Sequence, residues 1–133
     1  MTSFPLKIVT PDGLIYDGQA EEVVVRTTTG DIGILAGHIN CVAPLGMGRA
    51  TVINDGRKRY AACIGGMLSV VNGQATLVPT TFEWAEDIDL PRANRSLERA
   101  QKILHDKDAS SADIKLAEAR LRRALIRKNV ASN

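Results

Sequence analysis

Between Phe4 and Thr80 the apolar positions come in short runs rich in Val, Ile, Leu and Thr, interrupted at close intervals by PDG at 11–13, TGD at 29–31 and PLGMG at 44–48. Short runs rich in β-branched residues and bounded by Gly, Pro and Asp predict strands. Two interruptions are more specific. Asp55-Gly56 separates ATVI from RYAACI, and Asn72-Gly73 separates MLSVV from ATLV; both dipeptides tolerate the positive φ values of a tight hairpin turn. No spacer here is long enough for a helix, so antiparallel meanders are expected. A flattened barrel or two-sheet sandwich lets such strands bury their apolar faces. Residues 1–84 are therefore expected to form a β-sandwich.

After Trp84 the period changes. Leu90, Ala93, Leu97, Ala100 and Leu104 recur at spacings of 3, 4, 3 and 4, and Ile114, Ala117, Leu121, Ala124 and Leu125 form a second stripe, which predicts two amphipathic helices. Asp89 is the expected N-cap of the first, because Pro91 then falls in the first turn, where a missing N–H costs little. Ser110 stands three residues before Asp113, close to a capping box for the second helix. The polar link HDKDASS is long enough to reverse the chain, so residues 85–133 are expected to form an antiparallel helical hairpin. Its seam alternates Leu or Ile with Ala and buries little apolar area. At about 25 cal/mol per Å² against the ordering cost of each residue, the hairpin comes out near zero stability alone. It is a candidate for two conformations.

Composition narrows the class. With 133 residues there is room for one real core, and an aromatic share of 4% leaves that core to aliphatic side chains and removes a base-stacking surface. Residues 1–84 carry 6 basic and 7 acidic side chains (−1) while residues 85–133 carry 11 and 8 (+3), so the basic excess sits in the helices. Cys41 and Cys63 lack metal-type spacing and no signal-like segment precedes them, which points to reduced thiols in a cytoplasmic chain. No apolar run approaches the ~20 residues of a membrane span. GxxxxGK[ST], HExxH and CxxC are absent, and the two histidines leave no plausible Ser/His/Asp set. Neither a catalytic centre nor a metal site is expected. His38 reads as a loop or interface residue, and His105 as a partner for a helix dipole.

The remaining signal is arginine. Asp89, Arg92 and Arg99 fall along one helix face on successive turns, with Arg95 between them. Between 115 and 128 the second helix carries six basic residues against one acid, Glu118, which sits one turn before Arg122. Two readings stay open. The arginines are solvated or make exposed pairs such as Glu118 with Arg122, worth a few tenths of a kcal/mol; or an anion lies between two like-charged strips that otherwise repel. Nucleic acid is one possible anion, although the acids at 86–89 and 106–113 break up the patch and stacking aromatics are scarce.

VTPDG at 9–13, GDIGILAGH at 30–38, IGGMLSV at 64–70 and EWAEDID at 83–89 together resemble the epsilon subunit of the bacterial F-type ATP synthase, in the same order along the whole chain. The resemblance implies a sandwich of about ten strands and a helix pair. It implies a non-catalytic subunit on the central stalk, against the gamma subunit and the c-subunit ring, at the cytoplasmic face of the cell membrane. Coupling of proton transport to ATP synthesis and inhibition of ATP hydrolysis follow from it, with the extended helices reaching the alpha/beta catalytic ring. The loop around Asp31 and His38 would face the c ring. IDLPRA at 88–93 matches the motif by which some bacterial members bind ATP as a regulatory ligand. Carried over, Glu83, Ile88, Asp89 and Ala93 take adenine and ribose, while Arg92, Arg99 and Arg122 take the phosphates. Ile126 departs from relatives that have a further arginine there. A free-standing ATP sensor with no rotor is the alternative reading of the same residues.

Overall fold

The computed structural model describes residues 2–132, which fall into two compact units dividing between Trp84 and Ala85. The first holds ten strands: β1 Phe4–Thr10, β2 Gly13–Ala20, β3 Glu22–Thr27, β4 Gly30–Leu35, β5 Cys41–Pro44, β6 Met47–Asn54, β7 Arg57–Ile64, β8 Met67–Val71, β9 Gln74–Val78 and β10 Thr81–Trp84. They make two five-stranded sheets, β2-β1-β9-β8-β5 and β10-β7-β6-β3-β4. The expected sandwich of about ten short strands is what the chain forms. All pairs are antiparallel but one: β1 lies parallel to β9, with Leu6 opposite Ala75 and Ile8 opposite Leu77. A parallel neighbour requires a long crossover, and here the chain between these two strands supplies it.

The core follows from alternation. Every second residue of β1, from Phe4 to Ile8, points inward and is buried, and Val23, Val25, Leu68, Val70 and Leu77 face it from other strands. Both short hairpins turn as expected, with φ of 52° at Asp55 and 73° at Gly56, and 49° at Asn72 and 82° at Gly73. PLGMG behaves differently from a simple turn. β5 belongs to one sheet and β6 to the other, and between them Leu45 is buried and bridges Thr27. The chain stays extended as it changes sheets, with Gly46 N–H donating to Arg26 O at 2.9 Å and Leu45 N–H to Gly66 O at 2.8 Å. β7 and β8 change sheets alongside, through Gly65 and Gly66. The backbone is so close there that a Cβ on Gly66 would lie 2.0 Å from Val78 O.

In the second unit a short 3₁₀ turn, Ala85–Asp87, leads into α1 Leu90–His105 and α2 Ser111–Ala131, which pack against each other as a hairpin. Asp89 caps α1 by accepting from Arg92 N–H at 3.0 Å, and Ser110 caps α2 by accepting from Asp113 N–H at 3.1 Å. α1 buries Ala93, Leu97 and Ala100, as its stripe predicts. The stripe of α2 needs correction. Ala117 and Ala124 are buried but Leu125 is 40% exposed, and Val130, about 120° round the helix from Ala124, is buried instead. α2 thus buries side chains on two sides, which is why a single apolar stripe describes it poorly.

Candidate functional site

The approach to α1 concentrates the predicted residues. Ile88 is half-buried, Asp89 is exposed and caps the helix, and Ala93 is buried and returns its N–H to Asp89 O at 3.0 Å. The IDLPRA segment therefore places Asp89, Arg92 and Ala93 on one helical turn, held by a cap that takes up one oxygen of the Asp89 carboxylate. Arg92 and Arg99 are seven residues apart, within about 20° of each other round the helix. Both side chains are exposed, as is that of Arg122 on α2, and none of the three makes an ion pair or side-chain hydrogen bond among the described residues. Arg122 lies about 160° round α2 from Ala124 and one turn before Ile126. Ile126 is half-buried, one turn before the buried Val130. Glu83 stands in the other unit, half-buried on β10, on the face opposite the core residues Phe82 and Trp84.

Asp31 and His38 lie towards opposite ends of β4, an edge strand. Asp31 is ion-paired to Arg26 across β3 and β4 at 2.9 Å, with both side chains at least half exposed, so the pair adds little stability. His38 is held in the following turn: its N–H donates to Leu35 O at 3.2 Å, and Nδ1 donates to Ile39 O at 2.8 Å. Among the described residues no cluster of His, Cys, Asp or Glu could hold a metal ion, and no helix is long and apolar enough to cross a membrane. Cys41 and Cys63 are free thiols, and burial pushes the Cys63 thiol up to about 12.

Sequence reasoning missed one surface. On the outer face of the sheet carrying β5, β8 and β9, Pro44, Met67 and Val78 form one row across hydrogen-bonded strands. Val42 and Val71 flank it, and Val42 is 67% exposed. A row of this kind on an open sheet face is a candidate docking surface. The signal was in MLSVV, whose apolar residues occupy both faces of the strand, as in a strand covered on both sides.

Comparison with known proteins agrees with both units. Residues 3–85 match the beta-sandwich domain of the ATP synthase delta/epsilon chain, and residues 86–132 match its long alpha-helix domain. The chain is 44% identical over 133 residues to the ATP synthase epsilon chain of Bacillus velezensis, covering 100% of both. It is 42% identical over 132 residues to that of Bacillus cytotoxicus, covering 99% of this chain and 98% of the relative. Among solved structures, a chain of the Euglena gracilis mitochondrial ATP synthase (OSCP/F1/c-ring) superposes with a TM-score of 0.80 at 25% identity, over 92% of this chain and 77% of that one. A chain of the Tetrahymena thermophila mitochondrial ATP synthase central stalk and c-ring shares the fold, with a TM-score of 0.66 at 10% identity, over 96% and 95%. The chain belongs to the ATP synthase delta/epsilon chain family, as a non-catalytic central-stalk subunit. Within that family its full-length likeness is to bacterial epsilon chains.

Proposed function

We propose that this chain couples proton transport to ATP synthesis as a rotor subunit and restrains ATP hydrolysis through mobile C-terminal helices, with ATP binding favouring the folded hairpin. The sandwich would dock through its apolar sheet face on the central stalk, with the gamma subunit and the c ring as partners, at the cytoplasmic face of the cell membrane. In an extended state the basic α2 would reach the alpha/beta catalytic ring. One observation carries the ATP reading: Arg92, Arg99 and Arg122 are exposed cations without an ionic partner among the described residues, on helices whose buried residues are mostly alanine.

Guanidinium forks suit phosphate oxygens, and the carboxylates of Asp89 and Glu83 can accept from an adenine amine or ribose hydroxyl. ATP shifts the equilibrium only by its differential affinity for the folded hairpin, so high ATP relieves inhibition and low ATP imposes it. Charged hydrogen bonds worth about 1.5–3 kcal/mol each, less the cost of ordering the helices, give an affinity between about micromolar and millimolar. Ile126 contributes no guanidinium, which keeps the affinity toward the weaker end.

Calorimetric titration of the full chain with ATP tests this. Wild type should bind saturably and Arg99→Ala about ten- to a hundred-fold more weakly. In the reconstituted complex the same variant should inhibit hydrolysis up to higher ATP concentrations. Equal affinity in both proteins would remove Arg99 from the site, and no binding in wild type up to 10 mM would end the ATP reading.

A further inference from the structure

The tip of the β8–β9 hairpin is the dipeptide Asn72-Gly73, and the function above makes no use of it. Six asparagines occur in the chain, and Asn72 is the only one followed by glycine. That pairing matters for chemistry as well as for turn geometry. The side-chain carbonyl of an asparagine can be attacked by the backbone nitrogen of the next residue, and a glycine, with no Cβ, crowds that attack least. Asn72 is exposed, and its side-chain amide makes no hydrogen bond among the described residues. The strand register closes the turn at Val71 and Gln74, which leaves the Gly73 N–H outside the ladder. Electrophile and nucleophile are both unengaged.

What holds them apart is the turn itself. Asn72 has a φ of 49°, in the left-handed region, and Gly73 follows at 82°. A left-handed residue has a ψ of about +47°, which turns the next nitrogen away from its own Cβ, whereas ring closure needs the two side by side. The turn must therefore open before any reaction. Besides the ladder, a side chain distant in sequence opposes that opening: Asn72 N–H donates to Asn40 Oδ1 at 2.8 Å. Asn40 immediately precedes β5, whose Cys41 lies opposite Val70 of β8. The bond thus ties the hairpin tip to the start of the neighbouring strand, and local opening has to break it.

We propose that Asn72 is a site of spontaneous deamidation and that Asn40 sets its rate. When the tip opens, Gly73 N gives up its proton and attacks Asn72 Cγ; the bond from Cγ to the side-chain nitrogen breaks, and ammonia leaves with that proton, closing a succinimide ring. Water then adds to one of the two ring carbonyls and returns a proton to the ring nitrogen. Opening at Cγ gives aspartate at position 72, and opening at the main-chain carbonyl gives isoaspartate, whose backbone runs through Cγ and is one atom longer. Either product gains a carboxylate, and isoaspartate cannot keep the two-residue turn between Val71 and Gln74. The full chain held in mildly alkaline buffer should accumulate isoaspartate at residue 72, located by peptide mapping and enzymatic isoaspartate methylation. Asn40→Ala should accelerate this about two- to ten-fold, the factor implied by one lost hydrogen bond, while Asn40→Asp, which keeps an acceptor oxygen, should stay near wild type. In urea, where none of these proteins has a turn, wild type and Asn40→Ala should react equally fast. Asn54, followed by Asp55, is the internal reference and should react more slowly. The proposal is overturned if native wild type gains no isoaspartate at residue 72, if Asn40→Ala reacts at the wild-type rate, if Asn40→Asp matches Asn40→Ala, if the excess rate persists in urea, or if Asn54 reacts as fast as Asn72.

Discussion

Replacing Gly66 with alanine tests the packing of the two sheet-changing strands. Gly66 has a φ of 95°, and a Cβ there would lie 2.0 Å from Val78 O and 2.6 Å from Pro79 Cα. Both neighbours are backbone atoms, so no rotamer change relieves the contact; the strands themselves have to separate. Left-handed strain costs about 1–2 kcal/mol. Separation also endangers two hydrogen bonds, Leu45 N–H to Gly66 O at 2.8 Å and Gly65 N–H to Gly46 O at 3.0 Å, each worth about 0.5–1.5 kcal/mol net. The total is about 2–5 kcal/mol, a large part of the ~5–15 kcal/mol that holds a small protein together. Gly56→Ala is the control: its φ of 73° incurs similar strain, but nothing lies within 4 Å of the added methyl. Urea unfolding followed by Trp84 fluorescence should place Gly66→Ala below Gly56→Ala in midpoint by about 0.3–3 M, the about 1–3 kcal/mol of endangered hydrogen bonds divided by a slope of about 1–3 kcal/mol/M. Equal midpoints would refute the claim that close backbone approach, rather than φ alone, makes Gly66 necessary.

The apolar sheet face and the buried thiol give two further tests. Val78 is 49% exposed beside Met67, so Val78→Asp should cost less than about 1 kcal/mol in stability yet weaken co-purification with the gamma subunit about ten-fold or more; undiminished co-purification would exclude this face from the docking surface. Burial raises the Cys63 thiol from 9.0 to about 12, so the folded chain holds the proton more tightly than the unfolded one. That contribution is complete below pH 9 and is lost as pH rises toward 12, at about 1.4 kcal/mol per pH unit. The stability of wild type relative to Cys63→Ala should therefore decline over that range, and a pH-independent difference would contradict the burial.

What was legible in the chain was local. Asp55-Gly56 and Asn72-Gly73 announce their turns because few residues accept positive φ, and Asp89 and Ser110 announce their helices because a cap needs a side-chain oxygen at one position. The parallel pairing of β1 with β9 carries no such mark, since it depends on where a strand nearly seventy residues later comes to lie. The path through PLGMG was misread as a turn for the same reason: Gly46 N–H bonds to Arg26 O, and a Cβ on Gly46 would crowd Thr27 O at 3.1 Å, partners distant in sequence. At the candidate site, the spacing of Arg92 and Arg99 was readable from helical geometry. The burial of Val130 on a second side of α2 was not, because it follows from tertiary packing rather than from a single apolar stripe.

The two units differ in what they bury, and that difference bears on which of them can act as a switch. The sandwich seals Leu6, Ile8, Leu68 and Leu77 at 1% exposure or less, whereas the six buried residues of α1 and α2 include four alanines. An alanine methyl buries far less area than a leucine side chain, worth about 0.8 kcal/mol against about 1.5–3 kcal/mol for full burial. A hairpin built this way lies at the low end of the chain's local stabilities, where opening costs least. A ligand that adds a few charged hydrogen bonds across so weak a seam changes its population by orders of magnitude, while the same contacts on the sandwich would change nothing measurable. If ATP bridges Arg92, Arg99 and Arg122 as proposed, three arginines with no ionic partner among the described residues, then enlarging the seam should weaken the effect of ATP even where every arginine is kept.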